Sequence, residues 1–243
     1  MTTFKTKGLV LREYEAGEAD KRLILLCKGH GRLAVYARGA RKPKSKFLAA
    51  SQILTYGDYI IADGGQFLSM NQGTVIESFY PIHQDYDKLL HASYVLEVCE
   101  STVPDRAPGS DELLLLALKT LQHISANKIP INQTIAVFLF RFFLFSGIAP
   151  MMDSCCVCGE DLNRPNILFC REGMVCPDCQ VSTTRPLMRL SPAAREAVRH
   201  ILNSSLNGSF LFTVSNTVLN ELLSFTHASP VVLSDSIYDM FPG

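Results

Sequence analysis

Apolar and polar positions follow two different rhythms, and the change comes near residue 80. Before it, apolar residues alternate with polar ones or run in short blocks bounded by glycine, which predicts strands. Gly8–Arg12 reads as a short strand, and Arg22–Cys27 as a nearly all-apolar strand buried on both faces. In Gly31–Arg38, Leu33, Val35 and Ala37 point one way, while Arg32, Ala34, Tyr36 and Arg38 point the other. Gly29-His30-Gly31 supplies the turn between these two strands. Ile53–Ala62 and Phe67–Ile76 form a hairpin around Asp63-Gly64-Gly65, and Lys46–Ala50 allows a short helix. Five short strands with no long helix among them suit a small Greek-key barrel of the OB-fold type.

After Pro81 the spacing becomes helical. Leu89, Leu90, Ala92, Leu96 and Cys99 line one helix over Asp85–Glu100. Ser110 begins a second, with Asp111 and Glu112 in its first turn, where carboxylates suit the helix dipole. A third runs from Asn132 to Ser146 and stops at Gly147. It is apolar enough to raise the question of a membrane span. However, Arg141 interrupts it, and the unbroken apolar run before that is only Ile135–Phe140, so a buried core helix is expected and no membrane is implied. Ser191-Pro192 opens a fourth helix, to Asn203, and Ser215–His227 a fifth. The tail from Pro230 is left unassigned. The fold class expected is α+β, divided into an OB-fold domain (1–80), a helical domain (81–150), a four-cysteine insert resembling a zinc ribbon (151–184) and a C-terminal helical part (185–243).

The chain has 243 residues, 47% hydrophobic and 19% charged, which excludes wholesale disorder. No apolar stretch of signal-peptide type follows the basic first residues, so a cytoplasmic setting is expected. Net charge is zero but unevenly placed: residues 1–50 carry twelve Lys and Arg against four Asp and Glu. Six cations and no acid fall between Arg32 and Lys46. Lys21 and Arg22 lie close by. Cations beside a tyrosine on an open barrel face suit single-stranded nucleic acid, with ammonium and guanidinium groups on phosphates and the ring as a stacking platform. The candidate binding set is Lys21, Arg22, Arg32, Tyr36, Arg38, Arg41, Lys42, Lys44 and Lys46. The plainer alternative is a solvated basic loop with Tyr36 packed into a neighbour.

Six of the eight cysteines cluster after the third helix. Cys155/Cys158 and Cys176/Cys179 make two C-x2-C pairs 17 residues apart, a structural zinc spacing. Four thiolates close a tetrahedral shell with no position left for water, so the metal, Zn2+, is expected to be structural. Cys156 and Cys170 are surplus. The chain has no P-loop, zinc-protease or nucleophile-elbow motif, and its histidines are scattered, so no catalytic group is expected.

The segments Gly8-Leu-Val-Leu-Arg-Glu-Tyr-Glu-Ala-Gly-Glu-Ala-Asp20 and Gly29-His-Gly-Arg-Leu-Ala-Val-Tyr-Ala-Arg-Gly-Ala-Arg41, with Ser45 beyond, resemble the N-terminal signature of the bacterial RecO family. The helical middle, paired cysteines and C-terminal helices keep that family's order over nearly the whole chain. Arg38, Arg41 and Ser45 match the family's basic stretch, and Lys42, Lys44 and Lys46 extend it. The resemblance implies binding of single- and double-stranded DNA, annealing of complementary strands, and help in loading RecA onto DNA coated by single-strand-binding protein. It implies RecR, the acidic tail of single-strand-binding protein and, less directly, RecF and RecA as partners, in a nucleoid-associated, non-enzymatic protein. Arg189, Arg195 or Arg199 in the helical part are candidates to receive that tail. Two other readings stay open: an RNA-binding or transcription-associated protein with the same two modules, and a thiol enzyme using Cys156 or Cys170.

Overall fold

The computed structural model describes residues 2–161 and 167–227. The tail expected from Pro230 and positions 162–166 of the cysteine insert lie outside the described residues. The chain divides into two compact units, 1–128 and 129–243.

The first unit begins with five strands: β1 (Thr2–Ala16), β2 (Asp20–Cys27), β3 (Gly31–Ala37), β4 (Tyr56–Asp63) and β5 (Leu68–Glu77). They close a barrel in the order β1-β2-β3-β5-β4, antiparallel except for the β3–β5 seam. Such closure removes free strand edges, and this strand order is that of the OB-fold. β1 is much longer than the Gly8–Arg12 predicted. Its first half pairs with β4 and its second half with β2, the change coming near Gly8 and followed by a bulge between Val10 and Arg12. The early half, Thr-Thr-Phe-Lys-Thr-Lys, carries only Phe4 as an apolar residue, so alternation could not reveal it. A Cβ on Gly8 would meet Cys27 Sγ at 2.9 Å, so the crossing point needs glycine.

Inside the barrel, Val10, Leu23, Leu25, Leu33, Val35, Ala37, Tyr59, Ile61 and Met70 form one apolar cluster. Burying each leucine or isoleucine contributes about 1.5–3 kcal/mol. Residues 46–50, where the sequence allows a short helix, are successive turns instead. They plug the barrel: Phe47 and Ala50 join its core, and Tyr59 Oη donates to Ala50 O at 2.9 Å. Core burial of these two side chains decides the conformation, since one turn of helix is too short to hold itself.

A single turn, α1 (Tyr80–His83), leads into α2 (Tyr86–Thr102) and α3 (Asp111–Ala126). Asp85 caps α2 by accepting from Lys88 N at 3.2 Å, a device worth about 1 kcal/mol. Ser110 sits at the N-cap of α3 without a side-chain capping bond. Asp111 instead reaches across to accept from Gly29 N at 2.6 Å, fastening the helix to the β2–β3 turn. Both helices pack on the outer side of β2, which explains why Ile24 and Leu26 are buried as well as Leu23 and Leu25.

The second unit holds α4 (Ile131–Phe145), the cysteine insert, α6 (Pro192–Asn203), a short 3-10 turn (Gly208–Phe210) and α7 (Asn216–His227). Most of α4 is buried, and Phe140 stacks on Phe225 of α7 at 5.7 Å. Arg141 has a structural use: its Nη1 donates to the carbonyls of Ile201, Leu202 and Ser204, which would otherwise be left open at the end of α6. No described helix is long and apolar enough to cross a membrane. Within the insert, β6 (Leu168–Cys170) and β7 (Gly173–Val175) form a hairpin, followed by one turn, α5 (Pro177–Gln180). Gly173, at φ +134°, lies so close to Met151 that a Cβ would fall 2.3 Å from its carbonyl oxygen. That approach lets segment 151–156 pair with β7.

Candidate metal centre and nucleic-acid face

The first thiol pair sits on a knuckle in which Cys155 N donates to Glu160 O and Gly159 N to Cys155 O, both at 2.8 Å. Gly159 takes φ +79°, a conformation that a side chain would strain. The second pair lies on α5, where Cys176 caps the turn and Cys179 N donates back to Cys176 O at 3.1 Å. The hairpin brings the two knuckles together, and all four Sγ atoms lie within 4.8 Å of one another. Tetrahedral zinc with Zn–S bonds of about 2.3 Å requires sulfurs about 3.8 Å apart. Cys158 Sγ and Cys176 Sγ are 3.8 Å apart. The donor set and spacing therefore fit a four-thiolate metal ion.

The surroundings also favour charge on one ligand. Burial opposes ionisation of Cys155, but the N–H groups of Cys176, Cys158 and Val157 outweigh it and bring the thiol down to about 6. The Cys176 N–H lies 3.4 Å from Cys155 Sγ. By contrast, burial pushes Cys27 and Cys99 up to about 12, and both are packed as small apolar core residues. Among the described residues no histidine joins the thiol cluster.

On the barrel, the predicted cations separate into two groups. Lys21 pairs with Glu13 at 2.8 Å. Arg32 pairs with Asp105 at 2.8 Å and donates to Glu100 O. Arg41 pairs with Glu15 at 2.9 Å and reaches the carbonyls of Gly17 and Glu18, tying the basic loop to the β1–β2 turn. Lys46 donates to Asn71 O at 3.0 Å and lies over the Phe47 ring. The remaining four, Arg22, Arg38, Lys42 and Lys44, are exposed. None of them has an ion-pair partner among the described residues. The loop that carries three of them is held by its backbone: Gly39 N donates to Asp20 and Arg41 N to Ala19 O.

Tyr36 is half-buried rather than packed away, and it lies opposite Arg22 in the β2–β3 register. Its ring meets Phe67 edge to face, with centroids 5.6 Å apart, and Phe67 is 56% exposed. Arg22, Arg32, Tyr36, Phe67, Asp105 and Arg106 line one open depression. Phe67 and Arg106 were not in the predicted set. Phe67 had a local signal, as an aromatic at a polar hairpin tip beside Gln66. Arg106 had none, because it comes from the loop before α3, some seventy positions away from β3. In the second unit, Arg199 is held by Glu196 at 2.7 Å, Asp153 at 3.3 Å and Met152 O. Arg189 is exposed and lines a separate depression with Leu190, Asn220 and Glu221.

Comparison with known sequences covers both units. The family described as "Recombination protein O N terminal" matches residues 1–79, and "Recombination protein O C terminal" matches residues 83–228. A DNA repair protein RecO of Acetivibrio thermocellus is 32% identical over 223 residues, covering 91% of this chain and 88% of its own length. DNA repair proteins RecO of Clostridium novyi (26% identical, 91% of this chain and 86% of its own) and Bacillus pumilus (30%, 80% and 75%) are similar along most of their lengths.

Proposed function

The chain belongs to the RecO family of DNA repair proteins, and on that premise we propose that it binds single- and double-stranded DNA through its barrel face and anneals complementary strands. The observation that carries this reading is the set of four exposed cations, Arg22, Arg38, Lys42 and Lys44, that have no ion-pair partner among the described residues: Arg22 lines the same depression as the Tyr36–Phe67 pair, and the other three follow Tyr36 on the end of its strand and the loop beyond. Cations already held by acids give up one contact to gain another. Unpaired ones release counterions from DNA at no such cost, so the free set should dominate affinity. The two rings can stack bases, which adds affinity with little sequence preference. Arg41 and Lys46 act by holding the loop, Lys21 by bracing β2, and Arg32 by fixing the loop that carries Asp105 and Arg106.

Annealing needs no bond chemistry. Two polyanions are brought together when their repulsion is screened and both are concentrated on one cationic surface. Partners follow from the family: RecR, the acidic tail of single-strand-binding protein, and through them RecF and RecA, in a cytoplasmic, nucleoid-associated setting. The depression beside Arg189 offers the tail a cation and apolar contact. The metal is Zn2+, held by Cys155, Cys158, Cys176 and Cys179, and its role is structural: four thiolates leave no open coordination position.

The test is annealing of complementary DNA strands precoated with single-strand-binding protein, with and without RecR, across a salt series. Acceleration that fades as salt rises is expected. Absence of acceleration at every salt concentration, with tight RNA binding, would overturn the reading in favour of an RNA-binding role.

A further inference from the structure

Two of the six clustered cysteines are left over once the metal centre is assigned. Cys155 and Cys156 are adjacent in the chain, yet their sulfurs have different neighbours. Cys155 joins the four-thiol cluster, whereas Cys156 Sγ lies 3.4 Å from Cys170 Sγ. Cys170 stands at the end of β6, paired with Gly173 across the hairpin. Cys156 N donates to Met174 O at 2.8 Å, so both residues are anchored to the same hairpin by their backbones. Cys170 is buried and Cys156 is half-buried, under Arg185, whose Nη1 lies 3.9 Å from Cys156 Sγ and 3.6 Å from Glu172. A disulfide bond is about 2 Å long, so closure requires the two sulfurs, now 3.4 Å apart, to approach only a little further. Cys27 and Cys99, by contrast, are each enclosed in an apolar core.

We propose that Cys156 and Cys170 form a dithiol modification site, separate from the metal centre, that closes to a disulfide when it meets a hydroperoxide. The chemistry balances. The S–S bond forms as the O–O bond breaks, and each thiol gives its proton to one of the two peroxide oxygens. Sulfur loses two electrons, and the peroxide is reduced to an alcohol and water, or to two waters with hydrogen peroxide. Thiol reductants reverse the step by exchange. The closed form ties the first knuckle to the β6–β7 hairpin by a link that does not pass through the metal. The proposal uses the metal reading only to say which four sulfurs are already taken.

The test uses the full chain as purified with its metal. It is treated with one equivalent of hydrogen peroxide, its remaining thiols are blocked, and it is digested without reductant. Fragmentation mass spectrometry then reads cross-links, and a chromogenic chelator reads retained metal. The expected result is a Cys156–Cys170 link, two hydrogens lighter than the dithiol, with metal unchanged at one per chain. Cys170→Ser should abolish the link and keep the metal. Cross-links confined to Cys155, Cys158, Cys176 and Cys179, with metal lost in step, would overturn the proposal. So would unmodified Cys156 and Cys170, or loss of metal from either Cys156→Ser or Cys170→Ser, which would make that residue a ligand. A 156–170 link in protein purified without metal would support the dithiol while refuting the metal assignment.

Discussion

The barrel and the cysteine insert solve the same problem with different materials. The barrel closes over Val10, Leu23, Leu25, Leu33, Val35, Tyr59 and Ile61, with Phe47 as a plug. The insert buries only Ile167, Phe169, Met174 and Val175 in and beside two three-residue strands, whose hairpin brings four sulfurs of its two knuckles within reach of one metal ion. In the barrel, therefore, the groups that hold the fold and the groups that face solvent are different residues. In the insert, the four thiols that could hold a metal ion lie on the two knuckles themselves, so the proposed ligands and the local structure are the same residues. This difference says which changes should be silent, which local and which functional.

The largest effect belongs to the insert. Removing the metal with a strong chelator, or making Cys176→Ser, should take bound metal from one per chain to none. Structural zinc contributes on the order of 10 kcal/mol to small thiolate sites. Hydrogen exchange should then rise throughout 151–161 and 167–180, while barrel amides keep their protection. Loss of barrel protection as well would break the comparison.

Charge reversal of the free cations comes next. Arg38→Glu, Lys42→Glu and Lys44→Glu together should lower affinity for single-stranded DNA by about a hundredfold or more at low salt, since three phosphate contacts become three repulsions. Thermal stability and metal content should stay as they were. A smaller effect is expected from Phe67→Ala. Stacking is worth about 1–3 kcal/mol per base, so affinity should drop by about five- to a hundredfold while the slope of log affinity against log salt is unchanged. The smallest effect has the opposite sign. Asp105→Asn releases Arg32 from a surface ion pair worth at most about 1 kcal/mol, and should raise affinity a few-fold with a slightly steeper salt slope. Filter binding or fluorescence anisotropy reads all three.

Much of this architecture was legible in the sequence, and the parts that were not have physical reasons. Alternation at Leu33, Val35 and Ala37 marked β3 because one face of it is core. The nearly all-apolar Arg22–Cys27 marked β2 because helices cover its other face. The N-terminal half of β1 left almost no trace, since barrel closure rather than burial recruits it. Residues 46–50 allowed a short helix by local pattern, yet the barrel core drew Phe47 and Ala50 inward. The paired cysteines revealed their site because a knuckle is a local structure with fixed spacing. The cations were visible as a composition, but their division into paired and free was not. Glu13, Glu15 and Asp105 approach Lys21, Arg41 and Arg32 only after folding. Cys156 and Cys170 were visible only as a surplus, because thirteen residues separate them and the hairpin alone brings their sulfurs together.

The central claim is that unpaired cations on the barrel face hold DNA phosphates. The most direct measurement is the affinity of the full chain for a labelled oligo-dT over a potassium chloride series, beside the Arg38/Lys42/Lys44 charge-reversed variant. With four free cations engaged, the wild-type slope should be about −3, and the variant's, with Arg22 alone remaining, should fall to about −0.7 or shallower. Equal affinity and equal slope in the two proteins would contradict the account.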